Sequence, residues 1–141
     1  MIITLCGSTN FVGEIKRIRD ELEKRGYTVY SLAWTDLSFQ EIEAKKNNRK
    51  KFINELKPKL IVEHFDKIMK SDAILVVNSV KNGIKNYIGG NTFAEVMFAY
   101  YYKKKIFFLN PIPRDKMFSY LIDEIETVNP IILNGNLNLI K

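Results

Sequence analysis

Residues 2–6, Ile-Ile-Thr-Leu-Cys, form an apolar run without alternation, the pattern of a strand covered on both faces in a parallel sheet. The run stops at Gly7. Phe11, Ile15, Ile18 and Leu22 then recur at helical spacing, and Lys24-Arg25-Gly26 supplies a basic last turn and a glycine stop. Residues 27–34 alternate and carry Val, Tyr and Leu, which predicts a second strand. A polar, lysine-rich stretch over 37–56 reads as helix, broken by Pro58, and helical spacing returns over 60–69. Residues 72–78, Asp-Ala-Ile-Leu-Val-Val-Asn, are the clearest buried strand. The pattern then gives a loop over 81–90, a helix over 92–102 and a fourth strand over 105–110. Pro111 and Pro113 turn the chain, 114–128 form a last long helix, and 131–133 add an edge strand. Parallel neighbours need a crossover of a dozen or more residues, so strands alternating with helices predict an α/β fold. The expected architecture is a doubly wound parallel sheet of four to five strands with helices on both faces. We read residues 1–141 as one domain without internal repeats.

With 141 residues and 46% apolar content the chain can bury a core without disulfides or metal. Charge interrupts every apolar run well before the roughly 20 residues a membrane span needs, and no basic leader precedes the first one. Cys6, the single cysteine, has no internal partner and fits a buried thiol in a reducing compartment. A cytoplasmic protein is therefore expected, without cofactor or metal and with no membrane partner.

The net charge of +6 raises a nucleic-acid reading. Lys45, Lys46, Arg49, Lys50 and Lys51 form one basic group and Lys103 to Lys105 another, with no zinc-finger spacing or RNA-recognition signature beside them. Asn, Ile and Lys are abundant throughout, so a solvated face explains the lysines better than a polyanion partner.

Ligands of doubly wound sheets bind at the carboxyl ends of the strands, where strand order reverses. Two segments are placed to line that crevice. Gly7-Ser8-Thr9-Asn10 follows the first strand and opens a helix, which suits a phosphate or a sugar oxygen and equally an ordinary helix cap. It is neither a dinucleotide fingerprint nor a P-loop, because the later glycines and the Gly-Lys-Ser/Thr are missing. Asn78 ends the buried strand and joins the candidate binding set. In the second segment, residues 87–95, Gly89 and Gly90 allow a ligand to approach the backbone, and Asn91 and Thr92 add polar groups. Glu95, in the first turn of the next helix, has two readings. Its carboxylate can attack a sugar carbon, or Thr92-Phe-Ala-Glu95 forms a capping box. His64, the only histidine, lies on a predicted helix beside Phe65 and Ile68, which also suits a structural role. Asp72 opens the buried strand at the end away from the crevice and reads as structural. Trp34 can stack on a ligand or sit in the core or its rim.

Taken together, Ile3-Thr-Leu-Cys-Gly-Ser-Thr, His64 with Ser71-Asp72-Ala-Ile-Leu-Val-Val-Asn78, and Tyr87-Ile-Gly-Gly-Asn-Thr with Glu95 resemble the nucleoside 2-deoxyribosyltransferase-like superfamily over residues 2 to about 111. The resemblance is to its poorly characterised bacterial and phage branch. It implies a flavodoxin-like (Rossmann-like) sheet and cleavage or exchange of the N-glycosidic bond of a (deoxy)nucleoside or its 5′-monophosphate. The position of Glu95 matches the nucleophile, which attacks C1′ to give a glycosyl ester resolved by water or by a second base. Better-known members carry an aspartate where this chain has His64, and histidine can protonate a leaving base near neutral pH. They also carry a carboxylate six residues before the nucleophile, where this chain has Gly89, which weakens the case for base exchange. Ser8, Thr9, Asn91 and Thr92 are suited to a 5′-phosphate. Relatives assemble as dimers or larger oligomers, and Phe93, Met97 and Tyr100 to Tyr102 make the 92–102 helix aromatic enough for such packing, or for the core of one chain. The competing class is a non-catalytic nucleotide-binding or sensor module in which Glu95 only caps its helix.

Overall fold

A computed structural model describes residues 1–141. Five strands, β1 (Ile2–Cys6), β2 (Thr28–Tyr30), β3 (Ala73–Val76), β4 (Lys105–Phe108) and β5 (Ile131–Ile132), form one parallel sheet in the order β2-β1-β3-β4-β5. This is the flavodoxin-like order, doubly wound as the sequence pattern predicts. Alternate residues of the inner strands serve opposite cores. Ile3, Leu5, Leu75 and Phe107 meet Ile15, Ile18 and Leu22 of α1 (Val12–Lys24) on one face. Ile74, Val76, Ile106 and Phe108 meet Ile68, Val96, Ala99 and Ile125 on the other. Those last four come from α4 (Lys57–Met69), α5 (Gly90–Tyr101) and α6 (Ile122–Val128). The first helix ends where Gly26 takes φ +93, at the glycine stop read from the sequence.

Four elements differ from the sequence pattern. The second strand is three residues long, because β2 lies at the sheet edge and the chain turns away at Leu32, whose carbonyl accepts from the Thr35 N–H and hydroxyl. The 37–56 helix is split: α2 (Phe39–Lys46), capped by Ser38, ends, and α3 (Arg49–Lys51) restarts under an Asn48 cap. From there the chain stays helical through Pro58, because a π-helical turn (Phe52–Leu56) precedes α4 and lets the proline, which lacks an N–H, sit in its first turn. The 114–128 helix reduces to a 3₁₀ turn (Lys116–Phe118) under an Asp115 cap, then α6; this spacing buries Phe118 and Leu121. Finally, α5 starts at Gly90, two residues earlier than its apolar spacing suggests. No helix is long and apolar enough to cross a membrane.

Candidate functional site

The strand order reverses between β1 and β3, and a cleft of about 280 Å³ opens at their carboxyl ends. Gly7 terminates β1 in close contact with the neighbouring strand end. A Cβ there would lie 3.0 Å from the Val77 carbonyl oxygen and 3.3 Å from Ile15 Cδ1. Ser8 behaves as a cap, its Oγ accepting from the Asn10 N–H and donating to Asn10 Oδ1. Gly7, Ser8 and Thr9 line the cleft, whereas Asn10 is exposed outside it.

Glu95 is placed by α5. Gly89, in extended conformation, is the residue before the first helical turn and no side chain caps the helix. Glu95 therefore falls in the second turn, and the capping box read from Thr92 does not form, because Thr92 lies inside the helix with its side chain buried. Glu95 is only 2% exposed, yet its carboxylate borders the cleft with Gly89, Gly90, Asn91 and Thr92. Asn91 Nδ2 donates to Oε1 at 3.3 Å. Oε2 lies 2.8 Å from His64 Nε2 but off the line of any N–H, so it has no hydrogen-bond donor.

His64 reaches this point from α4, one turn before Ile68, on the helix face that packs against the sheet. The same Nε2 lies 3.6 Å from the Sγ of fully buried Cys6. Burial pushes the Cys6 thiol well above its ordinary pKa, and the negative charge of Glu95 adds to that shift. One donor atom each from Cys6, His64 and Glu95 thus lies within 4.8 Å of the others, a group able to hold a metal ion. The sequence pattern gives no metal-ligand spacing for residues this far apart in the chain; only the fold assembles them.

The cleft's basic rim was also hidden in the sequence. Lys46 separates from its lysine-rich group and turns inward, donating through Nζ to Thr9 Oγ1 at 2.9 Å. Burial is the main cause holding its pKa below the ordinary value; Lys81 and Lys57 act in the same direction and Glu43 opposes them. Lys46, Lys57 and Lys81 therefore share one rim, beside Thr9. The neighbouring Lys45, Arg49, Lys50 and Lys51 are exposed, as a solvated face requires. Trp34 borders the cleft half-buried, with its ring 6.0 Å from that of Phe52, which favours the rim position over the core.

Asn78 is not a cleft residue. It is fully buried, donates to the Asn110 and Pro111 carbonyls and accepts from the Asn110 N–H, so its amide is consumed in tying the end of β3 to the end of β4. Asp72 accepts from the Ile2 N–H at the opposite end of the sheet, a structural position. Of the residues expected to bind or react, the fold gathers Gly7, Ser8, Thr9, His64, Gly89, Gly90, Asn91, Thr92 and Glu95 around one cleft, and leaves out Asn10 and Asn78.

No protein-family model matches the chain, and no curated protein matches its sequence. Among solved structures, the chain is similar in fold to the Clostridium botulinum CMP N-glycosidase BcmB, at a TM-score of 0.52 and 22% sequence identity over 95% of this chain and 90% of that one.

Proposed function

We propose that the protein cleaves the N-glycosidic bond of a nucleoside 5′-monophosphate, with Glu95 as the nucleophile. The observation that carries this reading is the Glu95 carboxylate, buried at the strand-order reversal, facing a cleft and holding one oxygen without a donor. A carboxylate that served only its own helix would spend that oxygen on a backbone N–H. Asn91 orients Oε1, and Oε2 attacks C1′ as the C1′–N bond breaks. The bond's electron pair leaves with the base, which takes up a proton from solvent in the cleft, and the sugar phosphate remains as an ester of Glu95.

Water then completes the reaction. His64 Nε2, beside the carboxylate, accepts the proton of the attacking water, and Glu95 is released. In this reading His64 attends the nucleophile and the water more directly than the base it was expected to protonate. With no carboxylate at Gly89, hydrolysis is favoured over base exchange. The rim of Lys46, Lys57 and Lys81 supports a phosphorylated substrate over a free nucleoside, and the fold likeness to a CMP N-glycosidase supports the same substrate class. A homodimer belongs to this reading, supported by the exposed Tyr100, Tyr101 and Tyr102 at the end of α5.

The test is base release from a panel of ribo- and deoxyribonucleoside 5′-monophosphates and the matching nucleosides, followed chromatographically. The parent is expected to turn over a monophosphate, and Glu95→Gln to lose about 10³-fold or more in kcat while melting within a few degrees of the parent. Saturable binding without any base release would make the chain a nucleotide-binding module instead. Base release by Glu95→Gln equal to the parent's would remove Glu95 as nucleophile.

A further inference from the structure

The group formed by Cys6, His64 and Glu95 has a chemical identity beyond the hydrolysis it adjoins. A thiol, an imidazole and a carboxylate are the donor types that zinc accepts together, whereas magnesium and calcium favour oxygen alone. The spacing also fits. With Zn–S of about 2.3 Å and Zn–N of about 2.0 Å at tetrahedral angles, sulfur and nitrogen sit about 3.5 Å apart; Cys6 Sγ and His64 Nε2 are 3.6 Å apart. The carboxylate, 2.8 Å from the ring nitrogen, needs to draw back by about half an ångström to reach the spacing of two zinc ligands.

An independent observation points to a ligand here. Glu95 Oε2 is buried, borders this group and has no hydrogen-bond donor, a costly state for a charged oxygen that a cation would relieve. His64 and Glu95 both border the cleft, which supplies an entry path and leaves the fourth coordination position open to it.

We infer that Cys6, His64 and Glu95 bind one thiophilic divalent cation of the zinc class, and that the filled site holds the Glu95 carboxylate as a ligand and stops the glycosidic chemistry. On binding, the Cys6 thiol gives its proton to solvent and its sulfur joins the metal as thiolate. The binding half stands on the donor geometry; the inhibitory half rests on Glu95 being the nucleophile.

Three measurements separate them. Chelator-stripped protein is titrated with zinc against a chromophoric chelator, and separately with cobalt(II) while its absorption spectrum is recorded. One zinc per chain is expected, with a thiolate-to-cobalt charge-transfer band and the visible bands of tetrahedral cobalt. Loss of an outer-shell partner already costs about 10–100-fold in metal affinity, so Cys6→Ala and His64→Gln are each expected to lose at least as much, and Cys6→Ala to lose the charge-transfer band. In the base-release assay, zinc is expected to inhibit the parent and to leave the metal-free activity of Cys6→Ala unchanged. Absence of the cobalt band in the parent, or zinc binding that persists undiminished in both variants, overturns the site. If Cys6→Ala fails to fold, the parent's cobalt spectrum decides alone. A parent that binds one zinc at this site but releases no base from any substrate keeps the metal site and removes the glycosidase; base release without zinc binding does the reverse.

Discussion

Exchange of Asn78 for alanine removes an amide that makes three hydrogen bonds to the backbone of Asn110 and Pro111. The buried partners it leaves unsatisfied cost about 1–3 kcal/mol, so thermal melting should fall while base release per folded molecule keeps the parent's kcat and KM. Lys46 gives the pH dependence. Its pKa is lowered in the folded chain, so the charged form is the disfavoured one and the proton leaves at a lower pH than from an ordinary lysine. Affinity for a nucleoside 5′-monophosphate should therefore fall as pH rises through the region below 10.5, measured by titration at several pH values, and Lys46→Met should bind weakly at every pH with a flatter profile. At this scale the sequence distinguished side-chain types but not their partners. Thr92 and Glu95 have capping-box spacing, and only the position of Gly89 decides that the box stays open. Asn78 has the right place at a strand end, yet its amide is taken. Lys46 looks like any member of its run until α2 directs it to Thr9.

The two turns that line the cleft use glycine for different reasons, which separates their expected mutants. Gly7→Ala presses a methyl group against the Val77 carbonyl and Ile15, so it should cost about 1–3 kcal/mol in unfolding experiments. At Gly90 a methyl group would meet no atom within 4 Å, and the residue opens a helix, where alanine is the better former. Gly90→Ala should melt at or above the parent's temperature and still raise KM for the monophosphate, because the added methyl occupies space on the cleft wall. The central strands were legible because both faces are buried and leave continuous apolar runs at 2–6 and 73–76. The 37–69 region was not, since a proline normally signals a break and a π turn that absorbs it has no apolar signature. That turn brings Phe52, and α4 after it Lys57, to the cleft, so the element least visible in the sequence shapes part of its lining.

Across the whole molecule, the doubly wound parallel sheet could be anticipated from alternating strands and helices, whereas the cleft could not, because residues 7, 46, 64 and 95 come together only after the crossovers between strands are closed. The distribution of charge follows the same logic: the net charge of +6 is spread over the surface, with a few lysines drawn to one rim. Retention on an oligonucleotide column should accordingly be weak and vanish at moderate salt, and a mononucleotide should compete for what remains. The exposed tyrosines of α5 lie next to the stacked Phe98 and Phe65, a continuous aromatic face. Light scattering is expected to show a dimer, with Tyr101→Glu shifting it to monomer.

The sheet's outer strands bear on that assembly. They are three and two residues long, so neither offers a run of unpaired N–H and C=O groups on which a second chain could continue the ladder. Association of copies is then expected to run through side chains and not through the sheet edges, and concentrated or partly heated samples should associate reversibly, without seeding the strand stacks that long bare edges invite.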